Sequence, residues 1–246
     1  MQGRAGFTLL ELSIVLTIIA LIVGGIMYGQ ELYRQSELRS VVTEFIELDT
    51  AITNFKTKYS ALPGDMRDAW DYWQTMGCGA NANPVTTANP TGCNGDGNSE
   101  LSEMEGVRAW QHMTLAQLIP GSYRGDFQDN PTTLIPGTHI PPSTIEGGGY
   151  MYYHRFVYDV RRKNLIGLGI SGTTTNRSNL QTSVVSGPEA KDIDSKIDDG
   201  VANTGRMQAG FASCTGFAFN TTGGDYLMSA TTPSNACILW YVGTAE

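Results

Sequence analysis

Hydrophobic residues in the first part of the chain follow two successive patterns. Residues 12–29 contain no charged side chain and form an apolar run that is long enough to cross a bilayer as a helix. After four charged residues between positions 31 and 39, apolar residues recur at alternating spacings of three and four. They are Leu38, Val41, Phe45, Leu48, Ile52, Phe55 and Tyr59. This spacing predicts an apolar stripe on a helix that continues the first segment.

The predicted helix runs from Phe7 to Tyr59, where the proline and glycine of residues 60–65 stop it. At 1.5 Å per residue it is about 80 Å long, which is more than a compact domain of this size needs. A stripe sustained over three heptads fits either a coiled-coil seam or a face that is covered by the rest of the chain. A rod of this length suits a filament, because rods can bundle into a shared core.

The remaining chain predicts short helices and antiparallel strands. Helices are expected at 65–73, at 103–119 with Val107, Trp110, Leu115, Leu118 and Ile119 buried, and at 187–197. Strands are expected at 150–160 and 165–170, separated by a polar link at 161–164, and at 207–211 and 238–242. The predicted fold class is α+β, with a long N-terminal helix packed on a C-terminal antiparallel β-sheet domain that has long loops.

Composition narrows the class of protein. The chain has 246 residues, which is enough for one domain and a membrane anchor, and only 16% of them are charged. The net charge of −8 and the lack of a basic cluster argue against nucleic-acid binding. We found no catalytic motif, and we expect the three histidines, His112, His139 and His154, to be surface or half-buried residues. The chain is therefore not expected to be an enzyme.

Four cysteines lie beyond the predicted helix, at Cys78, Cys93, Cys214 and Cys237. They lack Cys-x-x-Cys spacing, so metal ligation is not expected, whereas an exported domain meets an oxidising compartment that favours disulfides. Three pairings are open. The short-range one, Cys78 to Cys93 and Cys214 to Cys237, is favoured because each pair brackets one turn-rich loop.

Residues 6–11, Gly-Phe-Thr-Leu-Leu-Glu, precede the apolar run and follow a short leader that carries one cation, Arg4. This segment closely resembles the prepilin signature of type IV pilins and type II secretion pseudopilins. The resemblance implies cleavage after Gly6 by a prepilin peptidase and methylation of the new N-terminal amine at Phe7. It also implies that Glu11 pairs with the N-terminal amine of a neighbouring subunit during filament assembly, and that the stripe is covered by the chain's own sheet.

The expected organisation is a leader at 1–6, a transmembrane and filament-core helix at 7–29, its amphipathic continuation at 30–59, and an exported globular domain at 60–246. By the positive-inside rule, Arg4 keeps the N-terminus in the cytoplasm of a single-pass protein of the bacterial inner membrane. The resemblance implies assembly into a periplasmic or extracellular filament. The implied partners are copies of the chain or other pilins, the prepilin peptidase and an inner-membrane assembly platform. The alternative is a membrane-anchored periplasmic enzyme or binding module.

The loop at 94–105 is a candidate calcium site. Oxygen-bearing side chains occupy the positions that an EF-hand-like loop uses, namely Asn94, Asp96, Asn98, Glu100, Ser102 and Glu105. The alternative is a turn whose acidic residues favour the N-terminus of the following helix. A second acidic group, Asp194, Asp198 and Asp199, has three interpretations: capping of a turn at Gly200, which we favour, pairing with Arg206, or cation binding.

Overall fold

The computed structural model describes residues 8–86, 88–89, 91–126, 134–156, 162–171, 180–210, 214, 225–226, 228 and 237–244. Within these residues the fold is α+β, with a long N-terminal helix and an antiparallel β-sheet in the C-terminal part, as the sequence predicts. The cleavage and methylation positions, Gly6 and Phe7, lie outside the described residues.

Helix α1, Leu9–Tyr59, is a continuous rod of 51 residues. It ends at Ser60, whose φ of 54° lies in the left-handed region and cannot continue the helix. Six residues of the predicted stripe are buried within the protein, and the seventh, Tyr59, is partly buried against the same core. The stripe is therefore covered by the chain's own domain and does not form an exposed seam.

The main sheet lies beyond α1 and is antiparallel throughout. Its strands run in the order β3, β4, β7, β6, and β5 pairs with β4 beside this path. The bounds are Gly149–Phe156 for β3, Arg162–Ser171 for β4, Leu180–Thr182 for β5, Met207–Gly210 for β6 and Ile238–Val242 for β7. Strand β7 lies between β4 and β6 in this order, so the C-terminal strand pairs with a neighbour on each side.

The sheet packs through aromatic contacts on the lower half of α1, which runs from Leu38 to Tyr59. The ring of Phe45 lies 5.2 Å from the ring of Tyr150 on β3 and 5.5 Å from the ring of Tyr241 on β7. Helix α3, Glu103–Leu115, packs on β3, and it needs Gly106 there because a Cβ would lie 1.9 Å from the carbonyl oxygen of Tyr152. Helix α4, Gly187–Ile197, packs against α1.

Three of the described boundaries differ from the predictions by three residues or more. The first short helix, α2, covers only Ala69–Trp73 and continues into a 3-10 turn at Gln74–Met76. Helix α3 stops at Leu115 rather than residue 119, because Gln117 has a left-handed φ of 60°. Strand β4 begins at Arg162, so most of the predicted polar link belongs to the strand.

Three short strands were not predicted. A parallel pair is formed by β1, Asn81–Pro84, and β2, Gly92–Asn94, and the third is β5. Such short polar segments lack the alternation that marks a strand in a sequence. The predicted strand residues 157–160 and 211 lie outside the described part of the chain.

Candidate functional site

The N-terminal half of α1 stands clear of the domain. Its large apolar side chains are exposed from Leu9, at 88%, through Leu21, at 72%, to Tyr33, at 67%. An 18-residue window of this half has a mean hydropathy of 2.5, and none of it is buried within the protein. By length and composition it can cross a membrane, although signal sequences meet the same criteria. Soluble monomers rarely expose apolar patches of this extent, so this surface requires lipid or other protein around it.

A capping box begins the rod and uses the one carboxylate of the apolar run. The Glu11 Oε2 atom accepts hydrogen bonds of 2.8 Å from both the backbone N–H and the hydroxyl of Thr8, and the Thr8 hydroxyl accepts from the Glu11 N–H at 3.2 Å. These bonds satisfy donors that a helix start leaves open. Thr8 was not among the predicted functional residues, although the spacing Thr-x-x-Glu is the signature of this box.

Comparison with known proteins bears on the same segment. Residues 1–27 match the prokaryotic N-terminal methylation motif. This is the prepilin-type signal of type IV pilins and pseudopilins, and the recognition made from residues 6–11 is confirmed. The motif supports a pilin-like or pseudopilin precursor and suggests a structural subunit. Together with the apolar helix it fits a membrane-anchored single-pass protein. No significant match was found among curated proteins or among solved structures.

Below the prepilin-type segment, polar side chains of α1 bind the domain at several levels, and at three of them the side chain is a charged one. The first is Arg34, whose Nε donates to Glu189 Oε1 at 2.6 Å and whose Nη2 donates to the Val184 carbonyl at 2.9 Å. Burial works to raise the pKa of Glu189, but the hydrogen bond from Arg34 and those from Ser186 lower it. Arg34 is one of the four charged residues between positions 31 and 39, and its position in the sequence does not predict this contact.

The second and third levels use carboxylates of α1. Glu44 Oε2 accepts from the Tyr150 hydroxyl at 2.6 Å, and burial together with this carboxylate raises the pKa of Tyr150 well above its ordinary value. Asp49 accepts from the Thr244 N–H at 2.8 Å and from Arg206 Nη2 at 3.1 Å. These contacts join residues more than 100 positions apart, and no local pattern announces them.

The candidate calcium loop is folded around the carboxylate of Asp65, which is not one of the six predicted ligands. Asp65 Oδ1 accepts from the N–H groups of Gly97 and Asn98, at 2.6 and 3.1 Å, and its Oδ2 accepts from Ser99 N–H at 2.9 Å. Three converging backbone donors form a strong site for one carboxylate. Asp65 therefore orders this loop by accepting hydrogen bonds from its N–H groups.

Two of the six candidate ligands, Asp96 and Glu105, join Asp65 in a group whose carboxylate oxygens lie within 4.8 Å of one another. The two Glu105 oxygens accept from the N–H groups of Asp96 and Ser102, at 2.9 and 2.8 Å. Burial raises the pKa of Asp65 and of Glu105, and the backbone N–H bonds oppose that rise.

The other four candidates have separate contacts. Asn94 Oδ1 accepts from Trp70 N–H, Asn98 Oδ1 accepts from the N–H of Glu100, and the Ser102 hydroxyl belongs to the capping box of α3. The Glu100 carboxylate lies 3.8 Å from His154 Nε2. Calcium binding by these six residues stays a prediction, and the hydrogen bonds account for their arrangement as a turn before α3.

The structure contains both short-range disulfides, Cys78–Cys93 and Cys214–Cys237. The first lies beside His112, whose Nδ1 accepts from Gly64 N–H at 3.0 Å. The opposite ring atom, Nε2, is then the protonated one and donates to the Cys93 carbonyl at 2.9 Å.

The prediction that the histidines are surface or half-buried is wrong for two of them. His112 and His139 are 0% and 1% exposed, and burial lowers the pKa of both, that of His112 to about 3 with Arg108 adding to the effect. The His112 ring stacks on the ring of Phe55 of α1, with centroids 6.3 Å apart. It is thus a neutral core residue whose two nitrogens join loops, and a single histidine has no periodicity that would reveal this.

Proposed function

We propose that this chain is a pilin-like structural subunit that a prepilin peptidase processes and that assembles into a type IV pilus or a type II secretion pseudopilus. The observation that carries the proposal is the continuity of α1. One half of the rod is exposed and apolar, and the other half is embedded in a folded domain. A discarded signal peptide needs no such rigid connection to the mature protein, whereas a filament subunit does.

The proposed path follows the expected segments. Residues 1–6 are removed, residues 7–29 cross the inner membrane with Arg4 on the cytoplasmic side, residues 30–59 continue the rod, and residues 60–246 lie outside. On assembly the exposed half of α1 leaves the lipid and packs against the same half of other subunits. The partners are copies of this chain or other pilins, the peptidase and an inner-membrane assembly platform.

Glu11 is the proposed assembly residue. A carboxylate in hydrocarbon costs about 2.5 kcal/mol or more, so it requires a partner. In one copy of the chain that partner is Thr8. A carboxylate can accept about four hydrogen bonds, and Glu11 Oε1 therefore stays open to the Phe7 amine of a neighbouring subunit. Pairing these opposite charges in the filament core removes two isolated charges from an apolar environment.

Replacing the residue before the cleavage site tests processing. Gly6→Val is expected to leave the six-residue leader on the chain, which mass spectrometry of the membrane fraction measures directly. Gly3→Val places the same change inside the leader and should be processed normally. A mature mass that is unchanged by Gly6→Val would exclude prepilin processing.

Glu11→Ala tests assembly. It should leave membrane insertion intact and reduce incorporation into sheared filaments by at least tenfold, because the amine of the neighbour loses its partner. Glu31→Ala removes the next carboxylate along the rod and serves as the control. Thr8→Ala removes the capping box while keeping the carboxylate, so it should assemble better than Glu11→Ala. Normal incorporation of Glu11→Ala would remove the assembly role of this carboxylate. Absence of the unmodified chain from sheared filaments would favour the alternative, a membrane-anchored binding module or enzyme.

A further inference from the structure

Three carboxylates converge where α4 ends. One oxygen from each of Asp194, Asp198 and Asp199 lies within 4.8 Å of the others. The C-terminus of a helix carries partial negative charge, so it opposes all three, and the carboxylates repel one another. Water screens this repulsion at the exposed Asp198 and Asp199, but Asp194 is buried, so its charge needs a positive partner.

One oxygen of this group has no hydrogen-bond partner. Asp194 is 0% exposed, and its Oδ2 accepts from the Tyr226 hydroxyl at 2.9 Å. Its Oδ1 is buried and, among the described residues, accepts no hydrogen bond of acceptable geometry. A buried carboxylate oxygen is almost always paired in a native protein, so this atom indicates a ligand.

The basic side chains nearest to the group along the chain are paired with other carboxylates. Lys191 lies 3.1 Å from Asp225, Lys196 pairs with Asp192, and the Arg206 guanidinium lies 3.1 Å from Asp49. Pairing of the acidic group with the Arg206 side chain, one of the alternatives from the sequence, is therefore not what the structure shows. Only the backbone N–H of Arg206 contacts the group, by donating to Asp198 Oδ2.

The chain after α4 is held close to these carboxylates. Asp199 Oδ1 accepts from Val201 N–H at 2.8 Å and its Oδ2 accepts from the Thr204 hydroxyl at 2.6 Å, so this residue caps the turn as favoured from the sequence. Gly205 has a φ of 69°, and a Cβ there would lie 1.5 Å from Asp198 Oδ2. Only glycine allows the backbone to approach that carboxylate so closely.

The first acidic group, Asp65, Asp96 and Glu105, provides an internal comparison. There each oxygen of the two buried members, Asp65 and Glu105, accepts a backbone N–H. Backbone donors thus supply the positive charge that the first group needs. The second group has the same number of carboxylates, and in it the buried Asp194 Oδ1 atom has no hydrogen-bond partner among the described residues.

We propose that Asp194, Asp198 and Asp199 bind a calcium ion at the C-terminus of α4. The donors are carboxylate oxygens, with the Thr204 hydroxyl beside Asp199, and such oxygens select hard cations over zinc or copper. A loop that supplies ligands with flexible geometry suits calcium better than magnesium, which demands a near-ideal octahedron.

Burial raises the pKa of the Asp194 carboxyl to about 7, and the neighbouring Asp199 and Asp198 add to the rise, while the Tyr226 hydroxyl and the Gly200 N–H work against it.

A bound ion would also stabilise the attachment of the domain to the rod. Helix α4 contacts α1 near its first turn through Glu189, and Asp194 lies in its last turn with Asp198 and Asp199 directly after its end. The Ala202 carbonyl beyond them accepts from Ala209 N–H of β6 at 2.7 Å. Calcium at this end would fix α4 between the rod and the sheet.

The test uses the full chain in detergent micelles, with Ca²⁺ and Tb³⁺ as probes. Saturating Ca²⁺ over chelator should raise the Tm by about 5 °C or more, since only the folded state holds the three carboxylates together. Asp194→Asn keeps the shape and the Tyr226 bond and should abolish the shift. Asp192→Asn, on the same helix, and Asp96→Asn, in the first acidic group, should both retain it.

Tb³⁺ luminescence adds a readout of position. Tyr226 lies beside the proposed ion, so Tyr226→Phe should reduce the sensitised emission at least twofold while saturating at the same Tb³⁺ concentration. Asp199→Asn, on the exposed side, replaces Asp194→Asn if that variant does not fold. The proposal is overturned if Ca²⁺ does not shift the Tm of the unmodified chain, if the Asp194 or Asp199 variant retains the shift, or if Asp96→Asn alone abolishes it.

Discussion

The two halves of α1 share one backbone and differ in what surrounds them. In the upper half, from Leu9 to Tyr33, large apolar side chains are exposed on every face. In the lower half, from Leu38 to Tyr59, the buried apolar side chains form one stripe that the domain covers, and Ile46 is exposed at 51%. The upper half is hydrophobic all round and the lower half is amphipathic, and each pattern is typical of a different solvent.

This difference separates folding from assembly along a single helix. The lower half is stabilised by packing on the domain. The upper half has no such contacts within the described residues, and lipid or other subunits must cover it. Substitutions in the lower half should therefore reduce the free energy of unfolding. Substitutions in the upper half should leave that quantity unchanged and affect membrane insertion or filament formation.

The largest expected effect comes from Phe45→Ala. Phe45 is fully buried and contacts Tyr150 and Tyr241, so its removal leaves a cavity between the rod and the sheet. We expect the free energy of unfolding to fall by about 3–5 kcal/mol. Urea denaturation in detergent, followed by tryptophan fluorescence, measures this change.

The matched control is Leu21→Ala in the exposed half. It should change the free energy of unfolding of the domain by less than about 0.5 kcal/mol. If the Leu21 and Phe45 variants lose the same free energy of unfolding, the domain does not stabilise the lower half more than the upper half.

The sequence predicted the part of the fold that repeats. The stripe at Leu38, Phe45 and Ile52 is confirmed because a helix that covers a sheet must place apolar residues at a period of 3.6. Short strands such as β1 and β5 carry no such period, since their three or four residues are held by neighbours rather than by an apolar face.

The candidate site was predictable only where it is local. The prepilin signature at residues 6–11 consists of adjacent residues, so it could be recognised from the sequence alone. Asp65 binds the N–H groups of residues 97–99, and this partnership depends on how distant loops meet. The capping box of Thr8 and Glu11 lies between these cases, because its spacing is visible in the sequence.

A second prediction concerns how acid changes the free energy of unfolding through a residue packed on the lower half. His112, stacked on Phe55, has a pKa lowered by burial from 6.5 to about 3. The unfolded chain takes up a proton below pH 6.5 and the folded chain does not. Stability is therefore full above pH 6.5 and is lost as the pH falls towards 3, by about 1.4 kcal/mol per unit.

The measurement is the free energy of unfolding of the unmodified chain and of His112→Asn at pH 7 and pH 5. The unmodified chain should lose about 2 kcal/mol more than the variant. Carboxyls such as Asp65 and Glu105, whose pKa values are raised, titrate in both proteins, and their effect cancels in the difference. Equal losses would mean that His112 is protonated within the folded protein.

The smallest expected effect lies at the boundary of the two halves, where Arg34 binds Glu189. Both side chains are partly exposed, at 28% and 21%, so solvent screens the pair. A double-mutant cycle with Arg34→Gln and Glu189→Gln should give a coupling free energy of about 1 kcal/mol. The control pair Lys196 and Asp192 lies on one exposed helix face and should give about 0.3 kcal/mol. If the first coupling does not exceed the second, Arg34 does not hold α4 on the rod, and the attachment of the domain begins lower, at Leu38.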